Sequence, residues 1–278
     1  MYIPEEDMIK IRKMQMEMLL EFDRICRKNN LKYVLFAGTL LGAVRHKGYI
    51  PWDDDIDVAM LRSEYEKFCS IVNREMDLDK YFFQSYKTDP NYRWAWGRIL
   101  KNNTEYIREG HEKLKQKTGI FIDIFPLDGI PQGVIAKKLH RNISVLCRKA
   151  LYAPIGFDLE KRFVKRIGFG LLKDIPSKVP FKILEYLAKK YNEDNCQKFF
   201  CLGIRRSMHI YGKEKLQKIG KDKSWFTDLI EMKFEGHYFF VPRNYHELLV
   251  EDYGSDYMKL PPEEKRTSRN PASFYRLE

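Results

Sequence analysis

Nothing in this 278-residue chain approaches the ~18 consecutive apolar positions that a membrane-spanning helix needs. Residues 1–13, MYIPEEDMIKIRK, lack the apolar centre of a secretory signal, and none is expected. Cysteine is scarce: Cys26, Cys69, Cys147, Cys196 and Cys201 are odd in number, scattered, and form no CxxC. Cys196 and Cys201 are the closest pair, with no second ligand pair near them. A disulfide framework or structural zinc site is therefore not expected, and a reducing cytoplasm fits. The signatures GxxxxGKS and GxGxxG are absent, so kinase and oxidoreductase readings find no support. No RRM, KH or zinc-finger pattern occurs, and no repeat or low-complexity tract.

What is present is enough apolar residue to build a core: 44% of the chain is hydrophobic and 14% aromatic, which argues against disorder. The formal net charge is +11. Residues 134–190 hold fourteen Lys or Arg against four acids, so nearly the whole excess lies in one segment. A coat for nucleic acid would be spread more widely, and no nucleic-acid partner is expected.

The spacing of Ile11, Met14, Met18, Phe22 and Ile25 predicts a helix over residues 5–29, with the methionines as core filler. A short strand at 33–36 runs into Gly38-Thr39 and a helical stretch at 40–45. A second strand covers 55–60, a helix 62–74, and strands follow at 81–86, 93–100 and 104–108. The apolar run at 119–125 reads as a strand ended by Pro126. Residues 134–200 read as basic helices broken near Pro154, Pro176 and Pro180. A hairpin is expected across Glu235-Gly236, then a helix with an Asn244/Glu247 capping box that closes at Gly254. The expected architecture is α+β, a mixed sheet flanked by helices with an added basic helical segment. The division expected is 1–130, 131–205 and 206–278, with the last part completing the first.

Four acids crowd into Trp52-Asp53-Asp54-Asp55-Ile56-Asp57. In a strand, alternation puts Asp53, Asp55 and Asp57 on one face and Asp54, Ile56 and Val58 on the other. Two carboxylates so spaced can converge on divalent metal, and hard oxygen ligands suit Mg²⁺ or Mn²⁺. A solvated polar loop is the plainer alternative, but this run enters an apolar strand. Asp123 is the one charge within residues 120–125, and a buried carboxylate must be paired, protonated or metal-bound. It is a candidate third ligand; an edge position facing water or an arginine salt bridge would also answer it. Asp128 reads as a loop or cap residue. Gly38-Thr39, between strand and helix, suits phosphate at a helix N-terminus. Arg45 and Lys47 are candidate phosphate partners or an ordinary basic turn, and His46 a packing residue.

Gly-Thr, a spaced Asp-x-Asp on the next strand, and a lone Asp on a later one resemble the nucleotidyltransferase fold. The stretch FAGTLLGAVRHKGYIPWDDDIDVAM is similar to the signature of the LicD family, related to fukutin. IFIDIFPLDGI resembles that family's second block and FEGHYFFVPRNYHELLVEDYGSDYMKLPPEEK its C-terminal one. The resemblance implies Asp55 and Asp57 as metal ligands, Asp123 as the third carboxylate, and Gly38 and Thr39 at the donor phosphates. Asp53 and Asp54 would support the site. Many relatives carry a histidine-containing tail where this chain has Ser268-Arg269-Asn270-Pro271, which leaves acceptor contacts there open.

The family implies a metal-dependent transfer, foremost of phosphocholine, from a CDP-linked donor to a glycan acceptor of teichoic acid or lipopolysaccharide type, releasing CMP. Ribitol phosphate and phosphoethanolamine donors would use the same acids; nucleotide transfer to a small acceptor is a further alternative, and a non-catalytic nucleic-acid binder a distant one that leaves the clustered acids unexplained. Trp52, Trp94 and Trp96 are candidates to hold a quaternary cation, or are core. At 100° per residue, Ile135, Leu139, Ile143, Leu146 and Ala150 fall opposite Lys137, Lys138, Arg141, Arg148 and Lys149. Residues 161–173 repeat the pattern, with Phe163, Val164, Ile167 and Leu171 opposite Lys165, Arg166 and Lys173. The apolar sides are expected against the core. The basic sides are either solvated or in peripheral contact with an anionic inner membrane face.

Overall fold

The computed structural model describes residues 3–191, 195–203, 220–267 and 271–278. Ser268, Arg269 and Asn270 lie outside the described residues. Helix α1 (Glu5–Lys28) buries Ile11, Met18, Phe22 and Ile25 of the predicted stripe, leaves Met14 half-buried, and adds Gln15, whose amide has a separate task below. Strand β1 (Val34–Leu35) leads into α2 (Ala37–Arg45), so Gly38 and Thr39 form the first turn of that helix instead of preceding it. Ala37 turns the chain there with φ +46°, a left-handed conformation that costs roughly 1–2 kcal/mol outside glycine.

Strand β2 (Asp57–Leu61) is followed by α3 (Arg62–Glu75), β3 (Tyr81–Gln84), β4 (Gly97–Lys101), β5 (Glu105–Arg108) and β6 (Phe121–Gly129). The central sheet runs β1-β2-β6-β4-β3. β2 and β6 are parallel and the other pairs antiparallel, giving a mixed sheet flanked by helices. One face lies against α1 and α3, where Phe22, Phe68 of α3 and Phe83 of β3 meet edge to face at 5.0 and 5.7 Å. Alternation turns the neighbours of Phe83 and Ile99, namely Gln84 and Arg98, to the opposite face.

Pro126 does not end β6, which continues to Gly129. The Asp123 N–H bonds to the Ile56 carbonyl, so the even-numbered backbone nitrogens of β6 face β4. The β4 ladder stops at Gly97 opposite Ile124, and the next partner on that side, β7 (Lys198–Phe200), begins opposite Asp128. Pro126 falls in the gap, where no donor is needed. Asp128 is likewise no loop residue: it is buried on β6 with an Oδ1 2.6 Å from Arg62 Nε.

After β6 come α4 (Val134–Leu159), α5 (Phe163–Leu172) and α6 (Lys178–Lys190). Only Pro176 separates helices. α4 runs through Pro154, and Pro180 sits in the first turn of α6, where a missing N–H leaves no bond unmade. The expected burial of these helices is overturned. Ile135, Phe163, Val164 and Leu171 are between 76% and 80% exposed, and Leu139 and Leu146 also face outward. α4 instead buries His140, Ser144, Cys147 and Leu151. That row is narrow at Ser144, Cys147 and Ala150, which lets Leu184 and Leu187 of α6 pack closely.

β8 (Lys221–Asp222) pairs with β7, and a one-turn helix, α7 (Ser224–Thr227), follows. β9 (Leu229–Phe234) and β10 (His237–Pro242) form the expected hairpin, with Glu235 and Gly236 both at positive φ. It packs back on the front of the chain: Phe240 meets Tyr33, and Tyr49 N–H donates to the Glu235 carboxylate. α8 (Tyr245–Tyr253) closes at Gly254 as expected, but Asn244 makes no side-chain cap bond. β11 (Ala272–Arg276) pairs with β5.

Candidate active site

The strand register assembles the site. Asp57 of β2 stands opposite Asp123 of β6, which stands opposite Arg98 of β4, which stands opposite Gln84 of β3. Partners in register point to the same side. Two acids, a guanidinium and an amide therefore form one row across the face that α1 and α3 leave uncovered. Asp55 joins Asp57 from the approach to β2, since burial alternates along residues 53–58 although the strand begins only at Asp57.

Asp123 is held on two sides. Its Oδ1 accepts from Trp96 Nε1 at 2.9 Å and from Arg98 Nε at 2.5 Å, and its Oδ2 lies 3.8 Å from Arg108 Nη2. The Phe121 ring lies between both guanidiniums, 4.2 Å from Arg98 and 4.5 Å from Arg108. Arg108 Nη2 is 3.5 Å from Asp55 Oδ2, yet neither it nor Arg108 Nε has a hydrogen-bond partner among the described residues. Asp57 differs from Asp123: among the described residues no hydrogen bond or ion pair reaches its carboxylate.

Burial pushes the Asp55 carboxyl up to about 7, against the pull of Arg108 and with the push of Asp53, Asp54 and Asp123. Burial, with Asp55 and Asp123 beside it, raises Asp57 well above the usual carboxylate range. Such a site favours any cation that can neutralise it. One oxygen from each of Asp53, Asp54 and Asp55 lies within 4.8 Å of the others. This oxygen-only set fits a hard divalent cation, and of the three expected ligands it includes Asp55 but neither Asp57 nor Asp123.

Neighbours fix the acids. A side chain at Gly38 would collide with the Asp53 carboxylate, so glycine lets Asp53 reach the start of α2. The Thr39 hydroxyl accepts the Asp57 backbone N–H at 2.8 Å. Both residues visibly position acids. From α1, Arg12 donates to the carbonyls of Pro51 and Asp53, and Gln15 donates to that of Asp54 at 2.8 Å. Tyr106 donates to the buried Asp54 carboxylate at 3.3 Å.

The other expected residues lie elsewhere. Arg45 donates to the carbonyls of Tyr257 and Lys259, binding α2 to the C-terminal block. Lys47 Nζ reaches the Val44 carbonyl, and no contact among the described residues joins either cation to the acids. Trp52 meets His46 edge to face and lies under Arg266. Trp94 and Trp96 stack at 6.0 Å beside Asp123, and His111 meets Trp94 at 5.3 Å.

Sequence reasoning passed over Arg98, Arg108, Arg12 and Gln15. Two had a signal: Arg98 is a charge beside apolar Ile99 and Leu100, as Asp123 is among apolar residues, and Gln15 falls on the apolar stripe of α1. Arg108 and Arg12 gave none, because their partners come from distant segments.

Residues 30–147 match the family described as LicD/FKTN/FKRP, nucleotidyltransferase domain. The lipopolysaccharide cholinephosphotransferase LicD of Haemophilus influenzae is 30% identical over 263 residues, covering 92% of this chain and 93% of that protein. Uncharacterised proteins of Rickettsia typhi and Rickettsia prowazekii are 41% and 44% identical over 56 and 48 residues, 20% and 17% of this chain.

Proposed function

The chain belongs to the LicD family, and from that premise we propose that it is a transferase moving phosphocholine from CDP-choline to a sugar hydroxyl of a cell-surface glycan precursor, with release of CMP. The observation that carries this reading is the row Asp57–Asp123–Arg98 with Asp55 and Arg108 at its edge, where buried acids and guanidiniums meet on the sheet face away from α1 and α3.

In the proposed reaction the acceptor oxygen bonds to the phosphorus that bears choline, and the bond from that phosphorus to the CMP oxygen breaks. The hydroxyl proton passes to a carboxylate, assigned to Asp123 because Trp96 and Arg98 fix its direction. Asp55 and Asp57 would hold a divalent cation, Mg²⁺ or Mn²⁺, which when bound would offset charge on the diphosphate and on departing CMP. Arg108, with buried donors lacking a hydrogen-bond partner, would donate to the donor phosphates. The choice of choline rests on the family resemblance, because Trp94 and Trp96 are packed among Tyr92, His111 and Phe125. Gly38 and Thr39 act through the acids they position. A lipid-linked acceptor would bring the enzyme to the inner membrane face, with residues 134–190 as the peripheral contact.

The test is incubation with Mg²⁺ and CDP-choline, CDP-ethanolamine or CDP-ribitol, with and without EDTA. CMP should appear fastest from CDP-choline and cease reversibly with EDTA. Faster release from another donor would overturn choline alone, whereas release indifferent to EDTA would overturn the metal site.

A further inference from the structure

Helices α4, α5 and α6 each present apolar side chains to solvent, although α4 and α6 also bury a row between them. α5 buries no residue: it touches α4 through Phe169, which meets Tyr152 at 6.0 Å and crowds Gly156. Four of its other apolar side chains, Phe163, Val164, Ile167 and Leu171, fall within an arc of ~100° and are all exposed, while Leu172 lies outside that arc and is half-buried.

α4 and α6 repeat the arrangement. On α4 the exposed Leu139, Ile143 and Leu146 each lie one residue before the buried row His140, Ser144, Cys147. On α6 the exposed Ile183 and Tyr186 each lie one residue before the buried Leu184 and Leu187. His140, near the start of α4, reaches the Leu187 carbonyl near the end of α6, so the two helices run antiparallel. Equal offsets from the contact row on antiparallel helices fall on the same side of the pair. The outward stripes of α4 and α6 therefore make one continuous surface. A monomeric soluble protein rarely leaves so wide an apolar surface uncovered.

The charge selects what covers it. Fourteen basic residues and four acids lie in 134–190, so a second copy apposed through the same face would meet its own positive charge. An anionic lipid surface offers both the acyl boundary for the apolar stripes and negative headgroups for the exposed lysines that flank them, such as Lys138 and Lys149 of α4 and Lys182 of α6. No helix among the described residues is long and apolar enough to cross a membrane, so the contact is interfacial.

We propose that this face is a lipid-binding surface whose apolar side chains enter the boundary of an anionic bilayer. This rests on the peripheral contact given above and deepens it, because charge alone would hold the protein only at low salt. Insertion of Phe163, Val164 and Leu171 would persist when charge is screened.

The test is flotation with phosphatidylglycerol–phosphatidylcholine vesicles, at low salt and at ~1 M salt, where the screening length falls to ~3 Å. The parent should float at low salt and stay partly bound at high salt. The variant Phe163→Gln/Val164→Gln/Leu171→Gln should bind at least ~10-fold more weakly and be released at high salt. Its melting temperature should not change, because these side chains are exposed. Lys138→Glu/Lys149→Glu/Lys182→Glu, at exposed lysines that flank the stripes of α4 and α6, should weaken binding at low salt only. If the glutamine variant floats like the parent while the glutamate variant does not, the insertion is overturned and the charge contact stands. If the parent floats under neither condition, both fall. If light scattering shows a parent dimer that the glutamine variant abolishes, the face is a contact between copies and the lipid assignment is overturned.

Discussion

The sheet face and the helical segment invert the ordinary partition of a folded chain in opposite ways. At the sheet face, Asp57, Asp123 and Arg98 sit side by side with little water, although charges normally remain outside. On α4–α6, leucine, isoleucine, valine and phenylalanine stay in water while His140 and Ser144 go inside. Neither arrangement is what stability alone would select. Each is relieved by something from outside the chain: a cation and an anionic substrate in the first, a lipid surface in the second. The two also differ in tolerance. The sheet face is fixed by register and by hydrogen bonds from four other segments, so a change there spreads. Among the described residues, the outer face of α5 contacts nothing that a substitution would disturb.

Arg98→Ala should produce the largest loss of stability, about 3–5 kcal/mol, because it leaves Asp123 buried with its closest cation removed. The urea midpoint of this variant measures it. A loss below ~1 kcal/mol would mean that Asp123 does not depend on Arg98, which would break the contrast from the side of the sheet.

A smaller effect should follow pH at the same face. Burial, with Arg108 and Arg98 nearby, pushes the His111 imidazole down to about 4 from an ordinary value near 6.5. The unfolded chain then takes up the proton first, so this stabilisation is full above ~6.5 and is lost as pH falls toward 4. The slope cannot exceed one proton, about 1.4 kcal/mol per pH unit. Asp55 titrates in the opposite sense over the same range, so the readout is the difference between the parent and His111→Gln. Chemical denaturation at pH 7 and pH 5 should show the variant losing less stability on acidification. Parallel losses would remove His111 from the account.

The smallest effect belongs to the helices. Phe163→Ala should change stability by less than ~0.5 kcal/mol, whereas Phe68→Ala in the core should cost about 3–5 kcal/mol. A large loss from Phe163→Ala would show that α5 is packed in solution, and the opposition between the two regions would fail.

Much of the first region was legible in the sequence. Crowded acids entering an apolar strand, and a lone Asp123 among apolar neighbours, are local conflicts that need a partner to resolve. Alternation then says which acids share a side, and burial at 53–58 follows it. What alternation could not supply was register. Nothing local states that Asp57 pairs with Asp123 and Arg98, or that Arg12 and Gln15 clamp the acidic loop from α1. Pro126 misled because its effect depends on which neighbouring strand its nitrogen faces. The helices misled more deeply. Periodicity shows that α4 and α5 each have an apolar side but not which side meets the protein. The choice of the Ser144–Cys147 row came from its fit to α6, a long-range matter. Arg45 and Lys47 read as phosphate partners by proximity in sequence, yet Arg45 is bound to carbonyls more than 200 residues away.

The claim that the sheet face trades stability for chemistry is tested most directly by Asp57→Asn, measured twice. The Asp57 carboxyl is raised by burial and by its neighbours, so the unfolded chain gives up this proton first and stability falls as pH rises above the ordinary value near 3.8 toward the raised one. In metal-free buffer near pH 8 the asparagine variant should melt at or above the temperature of the parent, and near pH 4 the two should agree. With Mg²⁺ and CDP-choline, the same variant should release CMP on the order of 10²-fold more slowly. A variant that melts lower at pH 8, or that keeps turnover within about twofold of the parent at saturating metal, would contradict the account.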